Sequence, residues 1–200
     1  MKHWDMWRRA AEYGKRSLGG GQLEALEQYV TWLKEEAIPA GAVGPREEKR
    51  LVGRHVGDSL LFAAPLSDPV REIRDLGSGA GLPGIPLAIL MPETCIVLVE
   101  RSGRRAHLLR RAVRVLDLSN VEVWEEDVAR LKERTPVLVS RATLTPDKGA
   151  AAAEKLLQPG GIAVWGGSWV EEPHFPGWEA VEIPEEVLDR RVWLLIMRPQ

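Results

Sequence analysis

The sequence predicts an α/β fold: a seven-stranded, mostly parallel sheet with helices on both faces and a helical cap at its N-terminal end. Three observations predict it. From residue 70 onward, short apolar runs alternate with helical stretches, the pattern of repeated strand–helix–strand units. A glycine-dense turn, Asp75-Leu-Gly-Ser-Gly-Ala-Gly-Leu-Pro-Gly84, follows the first apolar run and opens a helix. The last two apolar runs are joined by a short linker rather than a crossover helix, so they pair antiparallel.

The elements follow in order. Trp4, Met6, Trp7, Ala10, Ala11 and Tyr13 form a loose helical stripe, and the glycines at 19–21 break it. Leu23, Leu26, Val30 and Leu33 mark a second amphipathic helix. A turn-rich stretch at 39–45 precedes a third helix at 47–63, which carries Arg54-His55-Val-Gly-Asp58-Ser59. Residues 1–67 are read as a cap on a main domain at 68–200, together one compact unit. Strands are expected at 72–76, 95–100, 121–124, 137–140, 162–165, 179–183 and 192–197, and helices at 82–90, 104–116 and 148–157. Gln158-Pro-Gly-Gly161 reads as a helix stop before the fifth strand.

Composition narrows the function. With 200 residues and 44% hydrophobic content, the chain can bury a substantial core without disulfides. Its one cysteine, Cys95, lies in a strand-like run and reads as a reduced core residue. No signal-like segment opens the chain and no apolar run is long enough to span a bilayer, so a soluble cytoplasmic protein is expected, with no membrane partner and a monomer as its state. A net charge of −2 argues against a uniformly basic nucleic-acid binder. Arg101, Arg104, Arg105, Arg110, Arg111 and Arg114 nevertheless form a run with no acid among them, either a solvated helix face or a phosphate-contacting patch. His3, His55, His107 and His174 are scattered, so no metal is expected. The G-x-S-x-G elbow of serine hydrolases is absent. His55 and Asp58 lie one helical turn apart, either as an acid/base pair or as a contact of the cap with the core.

The glycine turn carries the chemistry. Glycine permits positive φ and lets another molecule approach the main chain. At the end of a first parallel strand, such a turn is where open α/β sheets bind nucleotides. Glu100, ending the next apolar run, stands where a carboxylate accepts hydrogen bonds from ribose hydroxyls. The turn fits the dinucleotide fingerprint G-x-G-x-x-G, but Asp75 before the glycines is unfavourable for a pyrophosphate. Pro83 and Pro86 in the first helical turn also remove N–H groups that a phosphate would use. The longer reading, Asp75-x-Gly77-x-Gly79-x-Gly81, resembles the first motif of class I methyltransferases that use S-adenosyl-L-methionine.

The continuation Leu82-Pro-Gly-Ile-Pro-Leu-Ala88 is more specific. With Arg54-His55-x-x-Asp58-Ser59, Glu100-x-x-Gly103-Arg104-Arg105, Asn120-Val121-Glu122 and Ser140-Arg141-Ala142, it resembles the GidB/RsmG family of bacterial 16S ribosomal RNA guanine-N7 methyltransferases over residues 22–168. The resemblance implies a Rossmann-like class I methyltransferase with S-adenosyl-L-methionine as cofactor and 16S ribosomal RNA or the small ribosomal subunit as partner. Asp75 would lie near the methionine ammonium. Gly77, Ser78, Gly79, Gly81 and Leu82 would line the methionine and ribose end, and Glu100 would hold the ribose. Asp127, Val128 and Ala129 would lie by the adenine, and Arg141 at the cofactor edge facing the RNA. Arg104, Arg105 and Arg141 would contact RNA, and Trp165 or Trp169 would stack on a base. No residue is expected to act as a general acid or base.

Plainer readings stand beside these. Asp127 also reads as a helix cap, Val128 as core, Arg141 as the partner of a surface acid, and the tryptophans as core packing. The sequence departs from the family pattern at Trp32-Leu33, the 37–44 loop, Asp127, Ala129, Pro136 and Trp165. Two alternatives therefore remain: a methyltransferase acting on another RNA or a small molecule, and a non-catalytic paralogue that binds a ribosomal or protein partner.

Overall fold

The computed structural model describes residues 3–169 and 171–199. Helix α1 (His3–Tyr13) buries Trp7, Ala10 and Ala11, and α2 (Gly20–Trp32) buries Leu23, Leu26, Tyr29 and Val30. The first helix ends at Tyr13 and residues 14–19 separate it from α2, so the break takes in only the first glycine of the triplet. Gly19 is the N-cap, and Gly20 and Gly21 begin α2. Glycine costs a helix about 1 kcal/mol relative to alanine, and Gln22 offsets this. Its Oε1 accepts from the Gly19 N–H at 2.9 Å while its Nε2 donates to the Ile89 carbonyl at 2.7 Å, anchoring the helix start to the domain.

The expected third helix is present but irregular. A 3-10 turn (Pro45–Arg50) runs into a π-helix (Leu51–Gly57), a single α-turn α3 (Asp58–Leu60) and a 3-10 turn (Leu61–Ala63). π-Helical segments in proteins are often found at functional sites.

The sheet then forms from β1 (Glu72–Leu76), α4 (Gly84–Leu90), β2 (Cys95–Val99), α5 (Gly103–Val115), β3 (Val121–Trp124), β4 (Thr135–Arg141), α6 (Pro146–Leu156), β5 (Leu157–Gly166), β6 (Glu179–Ile183), α7 (Glu185–Leu188) and β7 (Val192–Met197). The strand order is β3-β2-β1-β4-β5-β7-β6. Strands β1 to β5 are parallel, while β7 runs antiparallel to both β5 and β6. The fifth strand begins directly at Leu157, without the expected stop. Pro136 opposite it has no N–H to pair, so the register shifts between Thr135 and Val137 and the Gly160-Gly161 segment is taken up inside the strand.

Side chains alternate across the sheet with period two. Ile73, Ile96, Leu98, Val137, Val139 and Val164 join the cap, α4 and α5 in one core. Leu76, Val97, Val99, Leu138, Ala163 and Trp165 pack against α6 on the other face. Among the described residues, the buried side chains of the cap fall in the first core together with those of the sheet. Consecutive strands run outward from β1 to β3, and the chain then returns to place β4 on the far side of β1. The β1/β4 boundary is thus the topological switch point, where the carboxyl ends of the strands open a crevice for a ligand.

Candidate functional site

The glycine turn lies at that crevice. The N–H groups of Gly77 and Ser78 donate to the Val99 carbonyl at 2.8 and 3.0 Å, tying the turn to β2. Gly77, Gly79 and Gly81 have φ of +73°, +60° and +95°, conformations that residues with a Cβ rarely adopt. A Cβ built at Gly79 would meet nothing closer than the Gly77 carbonyl at 3.9 Å, so its backbone faces open space. The other glycines serve packing: Gly81 lies against Ile85, and Thr143 lies across Gly77, donating from Oγ1 to the Gly77 carbonyl at 2.8 Å.

Glu100 borders the open position. Its buried carboxylate accepts from the Gly79 N–H at 3.1 Å through Oε2 and from the Ser102 N–H at 2.9 Å through Oε1. Two backbone donors therefore orient it, and a carboxylate has lone pairs to spare for further donors. Asp75 sits beneath the turn, fully buried. Its Oδ2 accepts from the Gly84 N–H at 3.0 Å, while Oδ1 has no partner. Burial raises its pKa to about 7, partly opposed by the Gly84 bond. An unpartnered acceptor under a turn with open backbone fits a ligand that brings a positive charge and hydroxyl groups. The residues present thus fit S-adenosylmethionine: Glu100 would accept from the ribose, and Asp75, buried beneath the turn, would lie on the side of the ammonium.

The remaining predicted cofactor residues take varied places. Ser78 is buried, and its hydroxyl donates to the Asp75 carbonyl at 2.8 Å, so it builds the turn rather than facing the opening. Leu82 is core. Asp127 is a cap: its carboxylate accepts from the Ala129 N–H at 2.9 Å at the head of the 3-10 turn Val128–Arg130. Val128 packs on the second core. The loop holding them is bound to Glu100 through the Glu126 N–H, at 3.2 Å from the Glu100 carbonyl. Trp165 is buried beneath Gly149 and cannot stack on a base, which corrects that expectation. A helix residue with any side chain at position 149 would strike its indole.

Arg141 ends β4 on the opposite side of the switch point, and its partners are in the cap rather than being a surface acid. Nη1 donates to the carbonyls of Arg54 and His55 at 3.1 and 3.0 Å, both in the π-helix, and Nη2 donates to His55 Nδ1 at 2.6 Å. Because arginine only donates, the proton of His55 must reside on Nε2, which donates to Glu47 Oε2 at 3.1 Å. Burial and the Arg141 charge push the His55 pKa down to about 4. His55 and Asp58 do not form a pair; Asp58 binds Arg190, and burial raises its pKa to about 6 against that attraction.

Sequence reasoning missed three contributors. The Tyr29 hydroxyl donates to the Ala80 carbonyl at 2.8 Å, linking the cap to the glycine turn, and the Ser140 hydroxyl donates to the Leu76 carbonyl at 2.8 Å. The third is a cleft of about 490 Å³ beyond Arg141, between the cap and the ends of β5 and β7. Tyr29 carried a signal, since an aromatic hydroxyl on an apolar helix stripe must find a partner.

The GidB family, described as rRNA small subunit methyltransferase G, matches residues 22–172. The chain belongs to the GidB family. A curated relative from Mycobacterium leprae (strain TN), named Ribosomal RNA small subunit methyltransferase G, is 40% identical over 164 residues, covering 78% of this chain and 65% of the relative. A relative of the same name from Acidothermus cellulolyticus is 35% identical, covering 74% of this chain and 66% of its own length. The chain thus spans just under two thirds of these GidB relatives. Among solved structures, M. jannaschii TYW2 in complex with AdoMet superposes with a TM-score of 0.54 at 14% identity, covering 71% of this chain and 73% of that one. The fold of this GidB member is that of class I methyltransferases. Among the described residues, no group of three or more His, Cys, Asp or Glu is placed to hold a metal ion, and no helix is long and apolar enough to cross a membrane.

Proposed function

We propose that this chain is an S-adenosylmethionine-dependent methyltransferase acting on N7 of a guanine in 16S ribosomal RNA, in the cytoplasm. The observation that carries this reading is the oriented Glu100 carboxylate beside open backbone at Gly79, at the switch point of a GidB-family chain. The names of the curated relatives support the substrate, and the AdoMet complex of a protein with the same fold supports the cofactor.

When bound, the cofactor supplies a methyl group on a positively charged sulfonium. Guanine N7 has an in-plane lone pair that is unprotonated near neutral pH, so it attacks without a general base. The task of this chain is alignment, which contributes up to roughly 7–11 kcal/mol in favourable systems. Glu100 and the open backbone at Gly79 hold one partner, on a turn shaped by Gly77 and Gly81. Asp127, Val128 and Ala129 lie towards the adenine. Arg141 fixes the edge at which the base arrives, and Arg104 and Arg105, exposed in the first turn of α5, contact the RNA backbone.

The test is tritium transfer from labelled S-adenosylmethionine to 16S RNA that lacks the modification. Incorporation at one guanine, abolished by unlabelled cofactor, is expected. Labelling of a different RNA, or of none by a protein that binds the cofactor, would overturn the substrate.

A further inference from the structure

The cleft beyond Arg141 is lined by Arg50, Arg54, Arg190 and Arg191 as well as by Arg141, against only two carboxylates, Glu47 and Asp58. The chain as a whole is net negative, at −2, so this is a local concentration of positive charge. Part of it is spoken for: Asp58 binds Arg190, and Glu47 binds Arg50 at 2.9 Å. Arg54 is exposed and forms no ion pair among the described residues. Arg191 is 69% exposed and reaches Glu182 only at 3.5 Å. Two indoles, Trp169 and Trp193, lie among these guanidinium groups. Trp169 packs on Gly167, where a Cβ would come within 2.6 Å of the ring, and is part-buried beside Phe175 with ring centroids 6.4 Å apart. Guanidinium groups interleaved with aromatic faces suit a strand whose phosphates need charge and whose unstacked bases need a flat surface.

We propose that this cleft is the site at which single-stranded RNA is gripped, with Arg54 and Arg191 on phosphate oxygens and Trp169 and Trp193 beside an unstacked base. The inference rests on the methyltransferase reading for the identity of the RNA, but its geometry is separate from the glycine turn. Arg190, Arg191 and Trp193 also lie beyond residues 22–172, the part shared with the family. The tail of the chain therefore supplies half of the grip. The cleft opens beside Arg141 and Ala142, at the end of β4 next to the switch point, so an RNA base held there lies next to the proposed cofactor.

The experiment measures binding of unmodified 16S RNA by the full chain at several salt concentrations. The unmodified protein is compared with Arg54→Ala/Arg191→Ala and with a control of equal charge loss at the amino-terminal ends of β1 and β4, away from the cleft, Arg71→Ala/Lys132→Ala. Both pairs are exposed, so folding is retained, which circular dichroism checks. The cleft variant is expected to bind about tenfold more weakly and to lose about two from the slope of log affinity against log salt, one per phosphate contact. The control is expected to retain most of both. Equal losses in the two variants, or none in the cleft variant, would overturn the proposal. Calorimetry with S-adenosylmethionine separates the two readings: the cleft variant is expected to bind it unchanged. If no methyl transfer occurs yet the cleft variant still loses RNA, the methyltransferase reading fails and the cleft stands. If transfer occurs and the cleft variant binds RNA normally, the cleft fails alone.

Discussion

The two sides of the switch point are built in opposite ways. On the β1/β2 side, a turn of ten consecutive residues and one glutamate make the site, and nearly every polar group is held by backbone. On the β4/β5 side, four separate segments converge: the irregular cap helix, Arg141, the stretch after β5, and the start of β7. There, side chains bind side chains, as in Arg141–His55–Glu47 and Asp58–Arg190. The first side suits a small ligand of fixed shape, and the second suits a long, charged one.

The contrast can be sharpened first at Asp75. Its raised pKa means that the folded state favours the protonated acid. No penalty exists below the unfolded value near 4, and stability is lost as the pH rises through about 7. Asp75→Asn removes the penalty and is expected to raise stability at pH 8 by up to about 4 kcal/mol, with the gain vanishing by pH 4, as read by urea denaturation across pH. The same variant should bind S-adenosylmethionine more weakly. A variant less stable than the parent at pH 8 would show that the buried carboxylate is not strained.

Arg141 joins the two sides. Arg141→Ala leaves two π-helix carbonyls and His55 Nδ1 without their guanidinium donor, at a cost of about 2 kcal/mol. Burial, and after it the Arg141 charge, hold the His55 pKa down at about 4, so without Arg141 the imidazole, followed by NMR, should titrate higher. An unchanged titration would assign the depression to burial alone.

The smallest effect is expected at Trp165. Its Nε1 has no partner, so Trp165→Phe removes an unsatisfied donor as well as packing area, for a net change within about 1 kcal/mol and no change in RNA affinity. A large loss of RNA binding would restore it as a base-stacking residue.

How far the sequence could be read follows the same divide. The strands and the glycine turn were legible because period-two alternation and glycine spacing are local signals. The cap of Asp127 on Ala129 was legible for the same reason. The cleft was not, because Arg54, Trp169 and Arg191 are far apart in the chain and only the sheet order brings β7 beside β5. For Trp165 the core-packing reading holds and the base-stacking one does not: its alternation with Val164 and the small residues Gly149, Ala152 and Ala153 on the facing helix mark a ring-sized space in the core. The irregularity of the third cap helix had no local signal; it accompanies the contacts that Arg141 makes with residues 54 and 55.

The most direct measurement is calorimetric titration of the unmodified protein and of Glu100→Ala with S-adenosylmethionine, with NAD as control. One equivalent of S-adenosylmethionine should bind the unmodified protein and NAD should not. Losing the ribose acceptor and the ligand of Gly79 and Ser102 should weaken binding roughly 100-fold, about 3 kcal/mol. Equal affinity in a folded Glu100→Ala protein, or binding of NAD in place of S-adenosylmethionine, would contradict the assignment of the glycine turn.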